Sequence, residues 1–403
     1  MIFHVSPGKH PKIAAIRQKH AMPTLHISSQ FDAGAIQVQS LADPQTIQLN
    51  IRPDNASEFA QWFYFCLHGA MGEPIGLNFM NAGQCTYPKG WDGYRVACSY
   101  DHQNWFRLST DFDGQVMRVA FTPQSNCVYL AYFEPYSFER HLDLLGSAAS
   151  SPHGALLHLG STLDGRDMSL LHLTDAHGAT PLAQKRKVWL IARQHPGESM
   201  AEWFAEGFLE RLLDDADPVS RVLLDKCQFY VLPNMNPDGA VRGNLRTNAA
   251  GANLNREWAT PSLDKSPEVY WVRQKMIEVG VDLFLDAHGD EGLPYNFCVG
   301  TEETPGYSPR IQALEDAFKA SWLAASPDFQ TTYGYPRGKN GAVNMTLATN
   351  WVGQQFACLA FTIEMPFKDN ANLPDPQVGW NGERSKRLGA SVLQPVLDWA
   401  RAS

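Results

Sequence analysis

Three apolar runs constrain the fold of this chain more than any other feature. They are Lys187-Val188-Trp189-Leu190-Ile191-Ala192, Val281-Asp282-Leu283-Phe284-Leu285 and Cys358-Leu359-Ala360-Phe361-Thr362-Ile363. Each is short and apolar, and each reads as a strand buried in a sheet. Helical patterns stand between and after them, near 199–213, 266–279, 308–324 and 383–401; in the first of these the apolar residues are Trp203, Phe204, Phe208, Leu209 and Leu212. Two further strands, at 156–160 and 168–173, are joined by Leu163-Asp164-Gly165-Arg166-Asp167, and another runs from Cys227 to Leu232. Strand and helix in alternation predict an α/β domain built on a mixed central sheet flanked by helices.

Residues 1–135 read differently. Thr46-Ile47-Gln48-Leu49-Asn50-Ile51, Phe106-Arg107-Leu108-Ser109 and Met117-Arg118-Val119-Ala120-Phe121 place apolar residues at every second position, as half-buried strands do. Gln61-Trp62-Phe63-Tyr64-Phe65-Cys66 is too apolar for a strand with one wet face and reads as central. Turn signals separate the runs, among them Arg52-Pro53-Asp54-Asn55 and Asp113-Gly114. Many short strands at this spacing predict an antiparallel β-sandwich. Cys127 to Phe133 reads as its last strand, and Ser137 as the N-cap of a helix that belongs to the second domain. The expected organisation is a sandwich over 1–135 and an α/β domain over 136–403. The sandwich has no concentrated set of acids, bases or nucleophiles, so it reads as a folding or positioning module.

Composition narrows the function. The 403 residues carry a formal net charge of −9, which argues against nucleic acid or an anionic membrane as the main partner. No apolar run approaches the length of a membrane span, and Met1 to Pro7 has no basic region leading into a long apolar stretch, so neither a span nor a signal peptide is expected. Seven cysteines at irregular spacing, without a C-x-x-C pair, indicate neither a disulfide framework nor a cysteine zinc site. Free thiols in apolar runs fit a reducing cytoplasm.

The chemistry sits where the three apolar runs end, the position at which open α/β sheets bind ligands. The first run leads into His195-Pro196-Gly197-Glu198, whose Pro-Gly turn lets an imidazole and a carboxylate face one point. The second ends in Asp286-Ala287-His288-Gly289, and these three side chains make the donor set of a catalytic zinc. The third ends in Glu364, a carboxylate whose burial costs several kcal/mol, roughly, unless it is paired or protonated. Beside a bound water it suits the role of general base. Between them, the stretch 233–260 is long and carries Arg242, Arg246 and Arg256 with several asparagines. Long loops in compact domains are usually functional, and guanidinium groups grip carboxylates and stabilise oxyanions. For Asn234 and Asn236, turn chemistry is as good a reading as function.

The ordered set H-P-G-E, N-P-D-G, G-N-x-R, N-L-N-R-x-W, D-x-H-G and E-M-P resembles the zinc metallocarboxypeptidases of the carboxypeptidase A type. It most resembles the cytosolic carboxypeptidase branch, which includes tubulin deglutamylases and short bacterial members. The runs Gln61–Phe65 and Tyr129–Tyr136 also look like that branch, whose members carry a β-sandwich before the catalytic domain. The resemblance implies one zinc ion held by His195, Glu198 and His288, with Glu364 as the general base and acid. It implies that Arg246 polarises the scissile carbonyl, and that Asn255 and Arg256 clamp the C-terminal carboxylate of a peptide or protein substrate. Two features depart from the pattern. Asn253 stands where the family usually has an Asp supporting the first zinc His, and brings no charge to that role. The basic residue by which deglutamylating members read an acidic terminal side chain has only Arg337 and Lys339 as candidates, and these read equally as solvated loop charges. Tyr333 and Tyr335 are candidates for the mobile tyrosine of the digestive relatives. A preference for acidic terminal residues is the expectation. A zinc amidase acting on N-acyl amino acids and a catalytically silent peptide-binding protein are the alternatives.

Overall fold

A computed structural model describes residues 24–302, 304–336 and 343–402. The first ten strands are β1 (His26–Ser28), β2 (Gln37–Ser40), β3 (Ile47–Asn50), β4 (Tyr64–His68), β5 (Ile75–Phe79), β6 (Val96–Ser99), β7 (Trp105–Leu108), β8 (Thr110–Phe112), β9 (Met117–Phe121) and β10 (Cys127–Ala131). They form two five-stranded sheets, ordered β1-β4-β10-β6-β7 and β2-β3-β5-β9-β8. Alternation makes the faces: Ile47 and Leu49 are buried while Gln48 is exposed, and Met117 and Val119 are buried while Arg118 is exposed. Phe63, just before β4, and Phe65 on it meet Phe79 of the other sheet at ring-centroid distances of 4.8 and 6.3 Å. Each such fully buried apolar side chain contributes roughly 1.5–3 kcal/mol. The sheets are antiparallel with one exception, the parallel pair β3 and β5. The strand expected from Gln61 begins at Tyr64, and the Gln61 side chain bonds both backbone groups of Tyr87.

The rest of the chain builds one seven-stranded sheet. In order come α1 (Phe138–Ala149), β11 (Gly154–Ser161), β12 (Asp167–Leu173), β13 (Arg186–Ala192), α2 (Met200–Leu212), α3 (Pro218–Lys226), β14 (Cys227–Leu232), α4 (Pro237–Arg242), α5 (Pro267–Val279), β15 (Leu283–Asp290), β16 (Phe297–Val299), α6 (Pro309–Ala325), α7 (Ala348–Phe356), β17 (Leu359–Pro366), α8 (Gly382–Ser391) and α9 (Leu393–Ala402). The sheet order is β11-β12-β14-β13-β15-β17-β16. Strands β14, β13, β15 and β17 run parallel, with antiparallel strands at both edges, so the sheet is mixed. Ser137 caps α1 by accepting from the Arg140 N–H.

The structure adds α3, α4, α7 and β16 to the expected elements. Within the stretch read as irregular, α4 has full punctuation: Asn236 caps it, Pro237 opens it, and Gly243 ends it at a left-handed φ of 68°. The expected terminal helix is two, because Pro395 has no N–H to bond the Ser391 carbonyl one turn back. Among the described residues, no helix is long and apolar enough to cross a membrane.

The sandwich packs on the α/β unit through Tyr132, stacked on Phe367 at 4.4 Å. The Arg107 guanidinium reinforces this by donating to the Phe367 and Trp380 carbonyls.

Candidate active site

Strands β13, β15 and β17 lie side by side and in parallel, so their carboxyl ends open on one place. His288 and Glu364 are register partners across β15 and β17. His195 arrives by the turn after β13. Arg193 takes a left-handed φ of 57° there, and its buried guanidinium donates to the Pro196 and Tyr136 carbonyls and to Glu202. Gly197 passes so close to Leu245 that a Cβ would lie 2.9 Å from the Leu245 carbonyl oxygen. The turn is therefore built against the segment that carries Arg246.

The three donor groups converge. His195 Nδ1 lies 2.7 Å from one Glu198 oxygen, His288 Nδ1 lies 2.8 Å from the other, and the two Nδ1 atoms are 3.2 Å apart. The outer nitrogens are occupied: His195 Nε2 lies 3.0 Å from Asn253 Oδ1, and His288 Nε2 lies 3.0 Å from Asp286 Oδ2. With Nε2–H donating outward, each ring can turn its Nδ1 lone pair toward a shared cation. Tetrahedral zinc with Zn–N of about 2.0–2.1 Å has edges of roughly 3.3 Å; the Nδ1 pair stands near that spacing, and the two shorter Glu198 contacts would open as an ion entered. The residues therefore fit a zinc ion. Burial, assisted by the positive charge of Arg246, lowers His195 to about 3, so that ring is a neutral donor. Burial lowers His288 too, but Asp286 and Glu198 outweigh it and push it well above the usual histidine range. The same negative surroundings attract a divalent cation.

Glu364 completes the centre. Burial pushes its carboxyl well above the usual range; nearby His288 opposes this, while Glu198 and Asp290 add to it. Tyr335 places its hydroxyl 3.1 Å from Glu364 Oε1 and 2.6 Å from Asp290 Oδ2, and the other Glu364 oxygen is buried with no hydrogen-bond partner among the described residues. Tyr333 is turned away and stacks on Tyr295 at 4.2 Å.

His195, Glu198, His288, Glu364, Asp290 and Tyr335 line a cavity of about 1050 Å³. Of the residues singled out from sequence, His195, Glu198, His288, Glu364, Arg246, Asn255 and Arg256 line it. Arg337 and Lys339 lie outside the described residues. Arg246 NH1 is 3.7 Å from Glu198, and its guanidinium sits over the rings of Phe59 and Tyr87 at 5.8 and 5.5 Å. Asn255 is fixed by accepting from the Ala348 N–H, and Arg256 donates to the Asn255 carbonyl. Asn234 and Asn236 serve the turn and the α4 cap.

Sequence reasoning missed several supporting residues. Asp286 was visible in principle, since it lies two positions before His288 and so shares its strand face. Its Oδ2 also accepts from Gln194, whose own oxygen accepts from Trp258. Tyr87 and Lys89 of the sandwich line the cavity, and Asp54 holds the backbone of Arg246; no local pattern marks them. Glu291, buried in the wall, is pushed up to about 8 by burial, against the pull of Arg246.

Residues 27–133 match the cytosolic carboxypeptidase N-terminal domain, and residues 146–382 match the zinc carboxypeptidase domain. A crystal structure of a metallo-carboxypeptidase from Burkholderia cenocepacia is 52% identical, with a TM-score of 0.92, over 94% of this chain and 100% of that one. A metallo-carboxypeptidase from Pseudomonas aeruginosa, solved with (2-guanidinoethylmercapto)succinic acid, is 47% identical with a TM-score of 0.90, over 93% and 100% of the two chains. Cytosolic carboxypeptidase 2 of Danio rerio is 29% identical over 76% of this chain, which spans 46% of that relative's length.

Proposed function

The chain belongs to the zinc carboxypeptidase family of metallocarboxypeptidases, and from that premise we propose that it releases the C-terminal residue of a peptide or protein by zinc-dependent hydrolysis. The carrying observation is the convergence of His195, Glu198, His288, Glu364 and Arg246 on one cavity. The two histidines and Glu198 would hold the zinc, which when bound supplies a Lewis acid and lowers the pKa of water. Glu364, buried beside them, takes the proton of the attacking water and returns it to the leaving amine. Arg246 supplies guanidinium donors to the oxyanion of the tetrahedral intermediate. Asn255 and Arg256 hold the terminal carboxylate, which restricts cleavage to the last peptide bond.

An acidic terminal side chain is the finer part of the proposal, and it rests on Arg337 and Lys339. Among the described residues, Lys89 and Lys368 also line the cavity and are further cations that such a side chain can meet. A cytoplasmic location accords with the seven free cysteines.

The test is a release assay on zinc-analysed protein, using peptides that differ only in the last residue, with and without chelator. Chelator-sensitive release of single terminal residues is the expected result. Hydrolysis of N-acyl amino acids without peptide cleavage would replace the proposal with the amidase reading. Equal rates for Glu-, Leu- and Lys-ended peptides would remove the acidic preference while leaving the reaction in place.

A further inference from the structure

We propose a second metal site, on the outer face of the sandwich, for a soft cation of the zinc class bound by Cys66, His68 and Cys127. Strands β1, β4 and β10 are neighbours, and their register sets His26, His68 and Cys127 in one row and Ser28, Cys66 and Tyr129 in the next. Leu67 and Val128, at the alternate positions, are fully buried in the core. Cys66, His68 and Cys127 therefore share the opposite face.

The donor atoms are already gathered. Cys66 Sγ lies 3.2 Å from Cys127 Sγ and 4.0 Å from His68 Nδ1, and all three lie within 4.8 Å of one another. A tetrahedral zinc with Zn–S of about 2.3 Å and Zn–N of about 2.0–2.1 Å needs donor–donor edges of roughly 3.4–3.8 Å. The Sγ–Sγ contact is shorter than that range and the Cys66–His68 contact longer, so side-chain adjustment within the group would bring the donors to it. Among the described residues, only this group and the candidate active site bring three such donors so close together. Cys66 is buried and anchored in the sheet, while His68 and Cys127 are half-exposed, so a cation can reach the group from solvent. His26 stacks beside His68 with ring centroids 6.0 Å apart, on the side of His68 away from Cys127. None of these residues lines the catalytic cavity. Two sulfur donors select zinc-like or softer ions over magnesium and calcium. Spacing rules miss the group because the second thiol comes from another strand, 61 residues away.

Cobalt(II) is the discriminating probe, because thiolate ligation gives a near-ultraviolet charge-transfer band that the nitrogen and oxygen donors of the catalytic centre do not. Reduced, metal-stripped full-length protein is titrated with Co(II). The expected result is a thiolate band that saturates with one thiolate-bound Co(II) per chain, beyond the equivalent taken by the catalytic donors, and disappears in Cys66→Ser and Cys127→Ser. Both variants, reloaded with zinc, should keep peptide-release activity within twofold of the parent. His68→Ala alters a half-exposed side chain and should weaken the band's Co(II) dependence at least tenfold while the circular dichroism spectrum is unchanged. Absence of the band in folded, reduced protein overturns the proposal. A band that survives Cys66→Ser overturns it too. A Cys66–Cys127 disulfide forming in air, with no Co(II) binding by the reduced form, would make the pair a redox device instead.

Discussion

Asp54 and Arg246 stand 192 residues apart in sequence and are joined by a 2.8 Å hydrogen bond from the Arg246 backbone N–H to Asp54 Oδ2. The same carboxylate accepts from the Leu245 and Thr247 N–H groups and from the Thr247 hydroxyl. One buried side chain of the sandwich thus sets the backbone that aims Arg246 into the cavity. Replacing Asp54 by Ala orphans three backbone donors, each costing about 1–3 kcal/mol. A stability loss of roughly 3–5 kcal/mol is expected in denaturant unfolding. Asp54→Asn keeps the shape and part of the bonding. Because a misplacement of about 1 Å can cost ~100-fold in rate, its kcat/KM should fall about 10–100-fold with zinc content unchanged. Parent-like kinetics in Asp54→Asn would show that Arg246 needs no such anchor.

Glu364→Gln removes the proposed general base without touching the proposed zinc donors. The expected loss in kcat is ~10²–10⁴-fold, with one zinc per chain still bound at the catalytic donors. Turnover equal to the parent in a preparation shown free of contaminating peptidase would exclude the assigned role.

Asn253 accepts from the imidazole of His195 through a neutral amide oxygen. A carboxylate there would make the imidazole more electron-rich. Changes at groups that orient metal ligands typically move affinity ~10–100-fold. Asn253→Asp should therefore strengthen catalytic zinc binding within that range, read by competition against a chromogenic chelator. Equal or weaker binding would mean that the charge at this position is immaterial or mispositioned.

Glu268, fully buried at the start of α5, is pushed up to about 7 from 4.5, chiefly by burial, although Asn248 donates to both its oxygens. The folded chain therefore holds a proton between about pH 4.5 and 7 that the unfolded chain has released. Stability contributed by this group falls as pH rises through that window. Glu268→Gln should match the parent near pH 4 and exceed it above pH 7 by up to about 3 kcal/mol, at about 1.36 kcal/mol per pKa unit. Urea unfolding at several pH values reads this out, and a constant difference across the range would refute it.

Much of the site is legible along the chain because a strand end is a local event. Apolar runs stopping at His195, His288 and Glu364 announce both the strands and the chemistry at their tips. The short helices α4 and α7 and the break before Pro395 were harder, since a few residues carry too little periodicity to outweigh their neighbours. Asp54, Tyr87 and Gln194 were illegible for another reason. Each looks like an ordinary turn, loop or strand-end residue, and only packing against distant backbone shows what it holds.

By itself, then, the sequence determined the two kinds of unit and the mixed sheet, and singled out the candidate donor and acid–base residues, because periodicity and motif order are properties of the chain. Tertiary structure alone decided how those residues meet: Nδ1 atoms 3.2 Å apart, Arg246 pinned by Asp54, and two thiols brought side by side on β4 and β10. Angle, distance and burial arise when segments far apart in the chain pack together, and no local pattern encodes them.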